Sequence, residues 1–338
     1  MNIDITVVWA GVIAFVVFMY VLLDGFDLGL GVLFPFMDNE VERDIAMNSV
    51  APIWDFNETW LVLGAAGLFG AFPLAYAALL PAFYLPILVM LIALVFRGVA
   101  FEFRFKVHEH KPLWSRAFFF GSLFATFSQG VVLGSFVQGV PVVNNQYAGG
   151  AFDWLTPFSL MTGAALVAGY GLLGATWLVA KSTGRLHEWA RLTAIKLLAA
   201  VVVTMGVVSL WVPFLSDEIA ARWFSWPNIF YLSPVPLLVA AVSAGIYFEL
   251  RRDKNRRDLL PFLMTMVLFL LGFAGLAISL WPNLIPPEIT IYEAAAPRSS
   301  QIFLLVGVLI LMPILLVYVG YTYWVFRGKI AEDVGYHH

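Results

Sequence analysis

The chain has no cysteine, which excludes disulfides, thiolate metal sites and cysteine-ligated iron–sulfur clusters. Charge is scarce as well: Asp, Glu, Lys and Arg make up 12% of the 338 residues, against about 25% in soluble domains. A formal net charge of −3 gives no sign of a nucleic-acid partner, and none is expected. The five histidines, His108, His110, His187, His337 and His338, fall in segments that read as loops or tail, so no apolar run contains one. Haem buried in a membrane bundle is commonly held by His, and the expectation is that this chain holds none and no metal. Met19, Met90, Met161, Met205, Met264 and Met266 read as packing residues. Phosphate-cradling glycine motifs and a nucleophile elbow are missing, and Met1 to Thr6 lack the basic residues of a cleavable signal.

What is abundant is apolar: 61% of residues are hydrophobic and 16% aromatic, including 12 Trp. Such a chain is a polytopic, all-α integral membrane protein. Apolar runs near 7–36, 51–72, 78–101, 115–139, 157–180, 196–215, 227–249, 259–281 and 300–326 predict nine spanning helices. Basic residues alternate by loop. Arg104, Lys106, Lys111 and Arg116 follow the third run, Lys181, Arg185 and Arg191 the fifth, Arg251, Arg252, Lys254, Arg256 and Arg257 the seventh, and Arg327 and Lys329 the ninth. The loops after the fourth, sixth and eighth offer only Arg222 and Arg298. The positive-inside rule then puts the N-terminus outside and the C-terminus in the cytoplasm.

The segment Tyr20-Val21-Leu22-Leu23-Asp24-Gly25 is weakly repeated as Tyr170-Gly171-Leu172-Leu173-Gly174-Ala175, four runs later. This suggests two four-helix bundles in parallel plus a peripheral ninth helix: 1–145 with the intramembrane acids, 146–290, and 291–338 with the cytoplasmic tail.

The chain is organised around Asp24-Gly25-Phe26-Asp27-Leu28-Gly29, two carboxylates inside the apolar run 7–37. An Asp at the centre of a span costs about 2.5–3.5 kcal/mol on insertion scales. Three apart, Asp24 and Asp27 share a helix face, as two sites of a proton path or two ligands of one ion would; alternatively both lie just past the hydrocarbon edge. Gly25 and Gly29 form a small-xxx-small pair for close helix approach. Asp55 and Glu58 repeat the spacing at the start of the second run, where acids also suit a helix N-terminus and Ser49 or Asn48 is the expected cap. Arg97 and Glu102 end the third run. The predicted topology collects Asp24, Asp27, Asp55, Glu58, Arg97 and Glu102 in the cytoplasmic half of the first four helices, as a proton-carrying group or a salt-bridge network.

These residues carry a resemblance. The chain resembles subunit II of the cytochrome bd-type quinol oxidases, including the cyanide-insensitive branch. The resemblance rests on the Asp24–Gly29 stretch, Trp54-Asp55 through Trp60, Phe96 through Arg104, Gly169-Tyr170 through Trp177, Ala295-Ala296-Pro297 and Tyr323 through Lys329. Phe56 stands where many members have Gly. The resemblance implies residence in the bacterial inner membrane and pairing with a subunit I. That subunit would carry haems b558, b595 and a d- or b-type haem, oxidise quinol and reduce O2 to water. Small accessory subunits, lipids and a structural quinone belong to the same expectation. It further implies that subunit II stabilises its partner and, through Asp24 and Asp55, supplies cytoplasmic protons. A proton- or cation-coupled transporter and a purely structural subunit are the alternative readings.

Overall fold

The computed structural model describes residues 4–106, 110–252 and 257–330; His108, Lys254, Arg256, His337 and His338 lie outside them. The chain is almost wholly helical: α1 Ile5–Leu33, α2 Glu40–Asn48, α3 Trp54–Ala71, α4 Pro73–Ala82, α5 Tyr84–Lys106, α6 Lys111–Gln138 and α7 Pro157–Lys181 are followed by α8 Gly184–Trp211, α9 Asp217–Phe224, α10 Asn228–Leu232, α11 Pro234–Leu250, α12 Leu260–Leu280, α13 Ile291–Ala294 and α14 Arg298–Val325. Two small antiparallel hairpins, β1 Val142–Val143 with β2 Gln146–Tyr147 and β3 Asn283–Ile285 with β4 Ile289–Thr290, lie in the connections between α6 and α7 and between α12 and α13.

Among the described residues eight segments are long and apolar enough to cross a membrane: α1 with its terminal turn, α5, α6, α7, α8 with its terminal turn, α10 with α11, α12 and α14. The second expected span, α3, is not among them, because its 18 residues open with Asp55, Asn57 and Glu58. A polar first stretch accounts for the earlier start of α8 as well. α8 starts at Gly184, twelve residues before its apolar run, and so brings His187 into the helix, where the sequence placed it in a loop. The expected 78–101 run divides into α4 and α5 around Phe83, with Pro81 and Pro86, which lack a donor N–H, on either side.

From Tyr20 onward α1 is enclosed on nearly all sides, packed among α3, α6 and α7, with α12 and α14 completing the ring. An all-round apolar helix belongs inside a bundle, and this half of α1 is the axis of the main core, with Phe26, Leu30, Trp60, Tyr170, Trp177 and Phe262 around it. Closest approach is to α7. A Cβ on Gly29 would lie 1.8 Å from the Tyr170 carbonyl oxygen, and one on Gly174 would lie 2.7 Å from the Gly29 carbonyl carbon, so the crossing requires glycine on both helices.

The polar end of the bundle is stapled by ion pairs. Buried Arg104 of α5 donates to Asp44 (2.5 Å) and Glu40 (2.8 Å) of α2, and Lys111 of α6 reaches Asp44 at 2.9 Å. The Lys181 ammonium donates to the Phe326 carbonyl, and the Ile330 N–H donates to the Lys181 carbonyl (2.9 Å), which ties the end of α14 to α7. Elsewhere α14 leaves most of its surface exposed, including Phe303, Leu309 and Val317.

Candidate functional site

Asp24 and Asp27 lie on the enclosed half of α1, and both are 0% exposed. Their surroundings are protein on every side. Arg97, also 0% exposed, enters from α5: its Nη1 donates to Asp24 Oδ1 at 2.5 Å and its Nη2 donates to Glu58 Oε2 of α3 at 3.0 Å. One guanidinium therefore ties three helices through two carboxylates, which its planar fork suits better than an ammonium would. Trp54 flanks it, with the Arg97 Cζ 5.9 Å from the indole centre and the ring itself stacked on Phe101. Glu58 keeps 26% of its side chain accessible and is the cluster's most open member.

Asp27 has different company. Asn57 Nδ2 donates to Asp27 Oδ2 at 2.8 Å, and the Asn57 Oδ1 in turn accepts from the Tyr323 hydroxyl of α14 at 2.9 Å. The other oxygen of Asp27, Oδ1, is buried without a hydrogen-bond partner, as are Asp24 Oδ2 and Arg97 Nε.

Two expected members stand apart. Asp55 is exposed in the first turn of α3, one turn before Glu58 on the same helix. Glu102 is on the outside of α5, paired with Lys106 at 2.7 Å with 61% of its side chain exposed, and does not join the cluster. Nor do Asn48 and Ser49 cap α3. The residue before that helix is Ile53, without a side-chain cap, while Ser49 ends α2, donating to the Ala46 carbonyl and accepting from the Trp177 indole.

Sequence reasoning missed Asn57, Tyr323 and Gln129. Gln129 of α6 lies between two tyrosines: the Tyr170 hydroxyl donates to its Oε1 (2.9 Å) and its Nε2 donates to the Tyr20 hydroxyl (2.8 Å). Tyr20 precedes Asp24 by one turn of α1. Tyr20 and Tyr170 head the two similar sequence segments, and that coincidence was the available signal.

The described residues offer poor donors for a haem or a metal. His110 is exposed before α6, buried His187 turns Nδ1 to the Val179 carbonyl at 3.1 Å, and no group of three His, Cys, Asp or Glu side chains is poised to hold an ion among the described residues. The cluster is suited to holding and passing protons, since it combines buried carboxylates, one shared cation and an accessible acid at its mouth.

Known proteins resemble the chain over nearly its whole length. The pattern described as cytochrome bd terminal oxidase subunit II matches residues 5–326. The cytochrome bd-I ubiquinol oxidase subunit 2 of Escherichia coli is 28% identical over 365 residues, covering 96% of this chain and 95% of that protein. The cytochrome bd ubiquinol oxidase subunit 2 of Bacillus subtilis is 28% identical over 334 residues, covering 96% of each. Among solved structures, a chain of the bd oxidase from Geobacillus thermodenitrificans superposes with a TM-score of 0.77 at 17% identity, covering 96% of this chain and 99% of that one, which establishes a shared fold.

Proposed function

The chain belongs to the cytochrome bd terminal oxidase subunit II family, and from that premise we propose that it is the haem-free subunit of a quinol-oxidising, oxygen-reducing complex and carries that complex's proton-uptake route. Haems b558, b595 and the d- or b-type haem are then held by subunit I. The absence of a well-placed His among the described spans supports that division. The fold proposal is nine spans, with α3 as the second, in two four-helix bundles and a peripheral α14. Supporting it, Arg104 at the end of α5 bonds α2, which directly follows α1. Both α1 and α5 thus finish at one face, and the chain between them has to return across the membrane.

The observation that carries the functional reading is the buried Arg97 bridge between Asp24 and Glu58, with Asp27 beside it and Asp55 exposed one turn away. A low-dielectric bundle passes protons only along titratable side chains or ordered water. Here Asp55 and Glu58 form the mouth, and Asp24 and Asp27 the interior. The N-terminus is outside and the C-terminus cytoplasmic, so the mouth faces the cytoplasm.

Asp55→Asn keeps size and hydrogen bonding and removes proton exchange. The assembled variant should keep its haem content and lose oxygen-consuming turnover by about tenfold or more, ~1.4 kcal/mol or more in barrier. Full haem with wild-type turnover would refute the route.

A further inference from the structure

We propose that Asp27 is the acid of this cluster that holds an exchangeable proton, that Asp24 is the fixed counter-ion of Arg97, and that Asn57 and Tyr323 position the Asp27 carboxyl. The proposal rests on the reading of the cluster as a proton route and assigns its members different roles.

The two aspartates are one turn apart on α1, equally buried and differently partnered. Asp24 takes the Arg97 guanidinium on Oδ1 at 2.5 Å. One turn before it, the donors run in one direction, Tyr170 to Gln129 to Tyr20, which leaves the Tyr20 hydroxyl hydrogen unspent on that chain. That arrangement is built for an anion. Asp27 has no cation in hydrogen-bond contact; it accepts one neutral amide N–H on Oδ2, and Oδ1 has no partner.

Counting charge separates the two further. Arg97 is shared by Asp24 and Glu58, so that trio with both acids ionised sums to −1. The charged or titratable groups facing Asp27 are Asp24 on its own helix, Glu58 from α3, Arg97 from α5 and Tyr323 from α14. Ionising Asp27 as well would leave two negative charges in excess of one cation inside the bundle, the uncompensated burial that proteins avoid. A proton on Oδ1 lowers that excess to the single charge of the trio and leaves Oδ2 as the carbonyl oxygen that Asn57 already serves.

The orientation of Asn57 matters because its amide has one donor end and one acceptor end. With the Tyr323 hydroxyl donating to Oδ1, the NH2 group is turned to Asp27. Tyr323 is itself held in place, three residues before the Phe326 carbonyl that Lys181 grips. The helix α14, otherwise largely exposed, thereby reaches Asp27 through one side chain.

The test is infrared difference spectroscopy of the assembled oxidase in H2O and D2O. A protonated-carboxyl carbonyl band that shifts in D2O should be present in the native complex, be lost in Asp27→Asn and persist in Glu58→Gln. In Tyr323→Phe, a change of one oxygen, the band should move in frequency, whereas Thr322→Ala, whose hydroxyl bonds only the Tyr318 carbonyl, should leave it in place. A band that survives Asp27→Asn overturns the assignment, and a band unmoved by Tyr323→Phe overturns the positioning role. Should Asp27→Asn fail to assemble, Tyr323→Phe still decides. Turnover of Asp55→Asn reports on the route alone, so failure of the proton site and failure of the route give different results.

Discussion

Arg97 is the residue on which the cluster's charge balance depends. Arg97→Met would leave Asp24 buried with no cation and release Glu58, a change that costs about 3–5 kcal/mol for a buried pair broken on one side. The expected outcome is a sharp fall in the yield of haem-containing complex and in its melting temperature. Arg97→Lys keeps the charge but gives up the fork that reaches two carboxylates in fixed directions, so it should fall between Met and the native residue in the same assays. Asp24, Asp27, Glu58 and Arg97, which the structure brings together, stood out in the sequence because charge is rare in apolar runs. Their neutral partners did not. Tyr323 meets Asn57 across 266 residues of chain, and nothing local marks one Tyr among 12. Glu102 shows the opposite limit: it shares α5 with Arg97, but five residues on, half a turn round the helix, it faces outward to Lys106.

At the scale of elements, the α1–α7 crossing is set by backbone-to-backbone contact. Gly29→Ala would drive a Cβ to 1.8 Å from the Tyr170 carbonyl, and since backbone cannot give way as a side-chain tip can, the cost belongs at or above the upper end of the ~1–3 kcal/mol typical of overpacking. Gly11 on the same helix has nothing within 4 Å of an added Cβ, and Gly11→Ala should leave stability unchanged or slightly raised. Thermal melting of the assembled complex separates the two, and equal melting points would contradict the crossing. The Gly25–Gly29 spacing announced a close neighbour, though not which helix it was. Helix centres were legible from apolar runs of spanning length. The start of α8 was not, because it opens with a polar stretch that carries Arg185 to Arg191. The short α2 escaped notice because its burial is one-sided and its hold on the bundle comes through Arg104 and Lys111, far along the chain.

For the whole molecule, the positive-inside rule applied to the basic side chains gives the expected membrane face from which the proposed route draws its protons. Arg43, Arg104, Lys111, Arg185, Arg191, Arg251, Arg257, Arg327 and Lys329 flank the ends of helices that finish, or start, beside α2, whereas the opposite connections carry Arg222, bonded to the Ile278 carbonyl, and Arg298. Acids contribute little to orientation, so the ion pairs of α2 with Arg104 and Lys111 do not cancel the bias. The same end holds the mouth of the acid cluster. With the chain ending on that face, the parity of the spans decides the place of the N-terminus: if α3 crosses there are nine and the termini lie on opposite sides, and if it does not there are eight and they share a side. Reporter fusions at the two termini, after Gly149 and after Arg256 therefore test the architecture and the source of the protons together. The expected pattern is outside at the N-terminus and after Gly149, and cytoplasmic after Arg256 and at the C-terminus. Termini on one side would remove α3 as a span. The reverse pattern with opposite termini would keep nine spans but open Asp55 and Glu58 to the outer face, and the route would then draw its protons from the wrong side of the membrane to build a proton gradient.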